Sequence, residues 1–300
     1  MAVISLHDLE QMIPAFRGKV GNALARTLMR WLKVQKLIDT EAAIMDFKGA
    51  EFARATNEAA GIRYTVNGLP RIEAIRHFSE SLPKGAFITI CNHPIGSLDG
   101  TVLIDFFGHI REDYKYMVNE ILARFESLRP SLIAVNPNGN TIAAPSALNI
   151  AAIKASKEHL DAGHPMGFFP SGAVSDLKPG KCPVVEVPAI GDCPAFSYTE
   201  PKVRDRDWQM SIVKFIAKAG VPVVPVRFLD GNSKFYYNLG LIDWRVRLLR
   251  LPSELFNKAG KTLRLAIGPI ISPSTIAECA SMQELRTLLR ASVYSLDTAK

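Results

Sequence analysis

From residue 61 onward, short apolar runs alternate with stretches of helical periodicity, and this constrains the fold more than any other feature of the chain. Residues 62–66, 87–91, 132–135, 166–169, 221–228 and 263–267 read as strands, several stopped by Asn-Gly, Asn-Pro or Pro-Ser-Gly turns. Between them, 72–81, 100–110, 146–163, 207–219 and 281–295 read as helices. The stretch 176–202, rich in Pro, Gly and Cys, reads as a long loop. Strands alternating with helices give an α/β fold: a mixed, mostly parallel central sheet flanked by helices. In such sheets the chemistry gathers in loops beyond the strand ends, so loops 92–100, 136–140 and 170–176 compete for the site.

Residues 1–60 differ. Val20, Leu24, Leu28, Trp31 and Leu32 recur on one side of a helix, with Lys19, Arg26, Arg30 and Lys33 on the other. Residues 1–36 hold six Lys or Arg against two acids. Such a helix suits an anionic membrane surface, or packs on the main domain with its basic face in solvent. The expected organisation is a helical, membrane-facing element over 1–60 and an α/β domain over 61–300. The net charge of +7 favours anionic partners. Nucleic acid is not expected among them, because the chain has no zinc-ligand spacing or RNP-like string. No window approaches the roughly 20 apolar residues of a membrane span. The N-terminus lacks the basic-then-apolar layout of a signal peptide. The expected location is therefore cytoplasmic, peripheral on the inner face of the cell membrane. Cys91, Cys182, Cys193 and Cys279 form no CxxC pair, so free thiols and no metal site are expected.

The densest chemistry lies in Asn92-His93-Pro94-Ile95-Gly96-Ser97-Leu98-Asp99-Gly100, which follows the apolar run 87–91. A His at a strand end with an Asp six positions later can form an oriented general base. The same pattern also suits an ordinary turn, with Asp before Gly. Ser97 lacks the context of a nucleophile elbow and reads as a turn residue. Further on, Phe169-Pro170-Ser171-Gly172-Ala173-Val174-Ser175 is a turn able to bring backbone N–H groups near an anion. Val221-Pro222-Val223-Val224-Pro225-Val226 is a strand with two prolines, tolerated at starts, edges or bulges.

In this order these pieces resemble the PlsC-type glycerolipid and lysophospholipid acyltransferase superfamily, across roughly residues 62 to 270. The strings NHPIGSLDG (92–100), FPSGAVS (169–175), GNSKFYYNLG (231–240) and LRLPSELFNKAGKTLRLAIG (249–268) are similar to its bacterial hemolysin-like branch. That branch is allied with acyltransferases of ornithine and glycine lipids. The resemblance implies transfer of a fatty acyl chain from acyl-carrier protein (acyl-ACP) or acyl-CoA to the hydroxyl of a lyso-lipid, with no further cofactor. His93 would be the general base, oriented by Asp99. Asn92, Gly96, Phe169, Pro170, Ser171, Gly172 and Ser175 would line the substrate site, with Gly96 and Gly172 as backbone donors to the oxyanion.

Three departures stand out. Five residues separate His93 from Asp99 where the superfamily usually has four. Ser171 replaces a Glu that helps hold the acceptor, which argues against glycerol 3-phosphate itself. Asp176 stands where the branch carries a basic residue, and Lys178 and Lys181 are at hand to supply that charge. The competing readings are a lipid or thioester hydrolase using the same pair, and a non-enzymatic, membrane-binding hemolysin-like protein.

Overall fold

The computed structural model describes residues 43–120, 122–136, 146–242, 247 and 250–297, with Gly18, Gly21 and Asn22. The first half contains α1 (Gly49–Ala59), β1 (Arg63–Val66), β2 (Leu69–Pro70), α2 (Arg71–Ser81), β3 (Ile88–Cys91), α3 (Ser97–Ile110), β4 (Lys115–Asn119), β5 (Leu132–Val135) and α4 (Ala147–Asp161). Next come β6 (Met166–Phe168), β7 (Asp176–Leu177), β8 (Val184–Val187), β9 (Phe196–Thr199), β10 (Val203–Arg204), α5 (Met210–Ala219) and β11 (Val223–Phe228). The chain ends with α6 (Lys234–Ile242), α7 (Leu251–Phe256), β12 (Thr262–Ile267), α8 (Pro273–Glu278) and α9 (Met282–Tyr294).

Eight of these strands form one sheet in the order β2-β1-β12-β11-β3-β6-β4-β5. Pairing is parallel except at β1/β2 and β11/β12. The expected mixed, mostly parallel α/β architecture is present. β3 lies at its centre, and all four of its residues are buried. Its side chains alternate between two cores, as strand geometry requires. Phe87 and Cys91 join Phe52, Phe78 and Phe106 under α1, α2 and α3. Ile88 and Ile90 join Val213, Ile216 and Leu288 under α5 and α9. The chain leaves β3 towards β4 on one side, and β11 later inserts on the other. Loops at the carboxyl end of β3 thus open at a reversal of strand order, where open α/β sheets bind ligands.

Pro225 lies within a central strand, yet no ladder bond is lost. Val223 bridges Ile271, while Val226 pairs with Ile267, so residues 268–270 carry one extra residue and form a bulge. Val223 and Pro225 present their backbone polar groups to the same neighbour. The missing N–H therefore faces the bulge, and the Pro225 carbonyl still accepts from the Gly268 N–H at 3.0 Å.

Several elements correct the sequence reading. Residues 115–119 form β4, a buried strand missed because only three apolar residues separate Lys115 from Asn119. The segment 176–202 is not a plain loop: β7 pairs β10 and β8 pairs β9, both antiparallel. Helix α3 starts at Ser97 rather than Gly100, and α6 and α7 fill a region left unassigned. Residues 49–59, read as helical, form α1, which packs on α3 with Phe52, Ala53 and Ala55 buried. The basic helix expected over residues 20–33 lies outside the described residues, apart from Gly21 and Asn22.

A Cβ at Gly167, in β6 beside β3, would overlap Tyr114, Tyr116 and Thr89. Gly167→Ala is expected to lower unfolding free energy by about 1–3 kcal/mol through overpacking, measured by urea denaturation.

Candidate active site

The site begins with a helix start. Gly96, at φ +110°, is the N-cap of α3, and no residue with a Cβ adopts that conformation readily. A Cβ there would also meet Leu251 Cδ2 at 2.8 Å. Asp99, in the first turn, reaches back. Its Oδ2 accepts the Ile95 N–H at 2.8 Å and the Gly96 N–H at 3.0 Å. The same oxygen meets His93 Nδ1 at 2.9 Å. An acidic first-turn residue that caps its own helix is ordinary N-terminal chemistry, and the positive end of the helix dipole favours its charge. Here the capping carboxylate also holds an imidazole. Asp99 is fully buried, and the His93 side chain is 16% exposed. An ionised carboxylate only accepts, so the Nδ1–H tautomer follows from this network and leaves the Nε2 lone pair for chemistry. The ring stacks on Phe169 at 3.8 Å between centroids, and Phe169 leans on Tyr116 at 4.7 Å.

The peptide around His93 is held from three sides. The Asn92 side chain behaves as an extra strand residue, donating to the Phe228 carbonyl at 3.0 Å and accepting its N–H at 2.8 Å. The Tyr237 hydroxyl donates to the Pro94 carbonyl at 2.7 Å, and Asn232 donates to the Ile95 carbonyl at 2.8 Å. Lys258 in turn donates to Asn232 Oδ1 at 2.6 Å. Through these contacts the 231–240 and 249–268 strings fix the loop that carries His93.

The third side is the loop after β6. The Ser175 N–H donates to the His93 carbonyl at 2.8 Å. The Ser175 hydroxyl and the His93 N–H both donate to Asp205 Oδ1, at 2.6 and 3.2 Å. Trp208 Nε1 donates to Asp205 Oδ2 at 3.0 Å. Burial raises the Asp205 carboxyl above its ordinary range, against the opposing hydrogen bonds from Ser175 and Trp208. Arg247, itself buried, donates to the carbonyls of Ser175 at 3.1 Å and Val174 at 3.0 Å. It also pairs with Asp176 at 2.8 Å. Burial acts to raise Asp176, but Arg206 and Arg247 hold it below the usual carboxylate range.

Among the expected site residues, His93 and Asp99 come together and Phe169 lies against the ring. The others make contacts within the protein. Both polar atoms of Asn92 are bound by strand β11. Ser171 folds its hydroxyl onto the Ala173 carbonyl at 2.8 Å. Pro170 is buried and its carbonyl accepts from the Gln209 N–H, while Ser175 serves Asp205. The two backbone donors expected for an oxyanion are already engaged: Gly96 N–H by Asp99, and Gly172 N–H by the Phe169 carbonyl at 2.9 Å. Gly172 keeps φ +64° beside the Gln209 side chain. Arg247 and Arg206, more than Lys178 at 3.4 Å, supply the cations at Asp176. Sequence reasoning missed Asp205, Asn232, Tyr237 and Arg247, since no spacing links them to His93. Cys91 is fully buried, and burial pushes its thiol well up, as for an inert core side chain. A groove of about 580 Å³ between β5 and α4 does not include His93 or Asp99.

The profile of the acyltransferase family matches residues 11–299. A lyso-glycine lipid O-acyltransferase of Phocaeicola vulgatus is 25% identical over 305 residues, covering 98% of this chain and 96% of the relative. A lyso-glycine lipid O-acyltransferase of Bacteroides thetaiotaomicron is 25% identical over 259 residues, covering 84% and 81% respectively.

Asn92→Ala leaves two buried backbone groups of Phe228 unpaired and is expected to cost about 1–3 kcal/mol of stability, read from thermal and urea unfolding. Unchanged stability with a raised KM would instead assign Asn92 to the substrate.

Proposed function

The chain belongs to the acyltransferase family, and from that premise we propose that it moves a fatty acyl group from a thioester to the hydroxyl of a lyso-lipid. The observation that carries this reading is the buried Asp99 carboxylate on Nδ1 of a partly exposed His93. The names of the two relatives support an amino-acid lyso-lipid as acceptor, and the Ser171 departure agrees with it.

In this mechanism the acceptor hydroxyl donates to His93 Nε2. As its oxygen attacks the thioester carbonyl, the proton passes to Nε2 and a C–O bond forms. Asp99 stabilises the resulting imidazolium through Nδ1–H. The tetrahedral intermediate then expels the thiolate, which leaves as thiol with the proton from Nε2. No covalent enzyme intermediate is needed. The donor is acyl-ACP or acyl-CoA, and no further cofactor enters. Among the described residues no helix is long and apolar enough to cross a membrane. A peripheral place on the inner face of the membrane, with the basic residues of 1–36 towards anionic lipid, fits a lipid acceptor.

His93→Ala is expected to lower acyl transfer by about 10²–10⁴-fold while the melting temperature stays near wild type. Asp99→Asn is expected to lower kcat with little change in KM for the lyso-lipid. Retained activity in His93→Ala would overturn the assignment. Release of free fatty acid at the same rate with and without acceptor would instead identify a hydrolase.

A further inference from the structure

A polar cavity lies beside the loop that carries His93, and the chemistry at Nε2 does not use it. It encloses about 220 Å³ between the end of β11, α7 and the start of β12. Among the described residues, Leu263 is the one apolar side chain in its wall. The wall holds two lysines. Lys258 is 4% exposed, donates to Asn232 Oδ1 at 2.6 Å and lies 3.8 Å from Glu254. Lys261 is exposed and has no ion pair among the described residues. The two carboxylates of the wall are already matched. Asp230 takes the Arg264 guanidinium at 2.8 Å and the Arg264 N–H at 2.8 Å. Glu254 accepts from the Ser233 N–H at 2.9 Å and its hydroxyl at 2.7 Å, and faces Arg250 at 3.4 Å. Counting the wall and its direct ion-pair partners, four cations (Arg250, Lys258, Lys261 and Arg264) stand against two carboxylates (Asp230 and Glu254). Burial lowers the Lys258 ammonium below its ordinary range, against the attraction of Glu254, so a further negative charge beside it is favourable.

The cavity is tied to the base. Asn232, held by Lys258, donates to the Ile95 carbonyl, and Ile95 is at most about 7 Å of extended chain from His93. Asp230 lies two residues beyond Phe228, whose backbone pairs with Asn92. Whole drug-sized ligands need roughly 300–1,000 Å³, so a space of about 220 Å³ suits a headgroup. The exposed side chains of Asn257 and Thr262 make no hydrogen bond among the described residues and offer partners to an amide. The polar wall adjoins an apolar surface. Ser233 lines the cavity, and α6 begins at the next residue. Phe235, Leu239 and Ile242 recur on one side of α6, and Phe235, Leu241 and Ile242 are exposed. Arg250 spans the two regions, 3.4 Å from Glu254 and 4.8 Å over the Phe235 ring. A cationic polar cavity beside an exposed apolar helix face matches an amphiphile with an anionic head.

We infer that this cavity holds the carboxylate head of the acyl acceptor, an N-acylated amino acid, on Lys261 and Lys258, with the lipid tail along the outer face of α6. This rests on the acyl-transfer reading and adds the residues that select the acceptor. A phosphate head is best held by a guanidinium fork. The two guanidinium groups nearby, Arg250 and Arg264, already face Glu254 and Asp230, which favours the carboxylate.

The test gives the full-length protein three acceptors of equal chain length: an N-(hydroxyacyl)glycine, its methyl ester and lysophosphatidic acid. For the wild type, KM for the ester is expected about tenfold or more above that for the free acid, with kcat within about twofold. Lys261→Glu, at an exposed position, should raise KM for the free acid about tenfold more than KM for the ester, and Lys261→Arg should stay near the wild type. Asn257→Asp, which adds a carboxylate to the wall, should act in the same direction as Lys261→Glu. Binding of a fluorescently labelled N-(hydroxyacyl)glycine without acyl donor should weaken in both Lys261→Glu and Asn257→Asp. Equal KM for acid and ester in the wild type, an equal effect of Lys261→Glu on both, or a lower KM for lysophosphatidic acid than for the free acid would each overturn the inference. Should none of the acceptors be acylated, the acyl-transfer reading fails, and the binding arm without donor still decides the headgroup site.

Discussion

One oxygen atom organises this site. Asp99 Oδ2 gathers the Ile95 N–H, the Gly96 N–H and His93 Nδ1 within 3.0 Å, in a position with no solvent exposure. The Gly96 N–H is a donor that a helix start leaves unpaired and the Ile95 N–H belongs to the turn before it, so the same three contacts cap α3, close the turn and set the imidazole tautomer. A buried carboxylate with fewer donors would carry a desolvation cost. Helix formation and orientation of the base are therefore one event, and a change at Asp99 alters both.

The constraint extends outward through backbone rather than side-chain recognition. The carbonyls of His93, Pro94 and Ile95 are bound by Ser175, Tyr237 and Asn232, which come from different parts of the chain. The His93 N–H reaches Asp205, which also takes the Ser175 hydroxyl and the Trp208 indole. The result is a loop whose peptide groups are paired on several sides while its ring stays partly open beside Phe169. That is the preorganisation a general base needs, since proton transfer tolerates little displacement.

What the sequence made legible follows from distance along the chain. His93 and Asp99 are six positions apart, so their partnership could be read from a strand end and a turn. The central strands were legible because burial on both faces makes them continuously apolar. The strand partner of Asn92 was not legible because Phe228 is 136 residues away. A polar residue beside a catalytic His looks like a substrate contact until that strand is in place. Gly96 and Gly172 were expected as oxyanion donors, but their N–H groups close local turns. The β8/β9 ribbon escaped because the exposed face of β8 carries apolar Val184 beside Glu186, so the sequence lacks the apolar/polar alternation that marks a half-buried strand.

The account depends on His93 carrying its proton on Nδ1, towards Asp99, with Nε2 free to accept. ¹⁵N NMR of histidine-labelled protein above the imidazole titration range tests this directly, with His93→Gln identifying the signal among the six histidines. The account predicts a protonated, slowly exchanging Nδ1 and an unprotonated Nε2, with this preference lost in Asp99→Asn. A neutral His93 protonated on Nε2 in the wild type would contradict it.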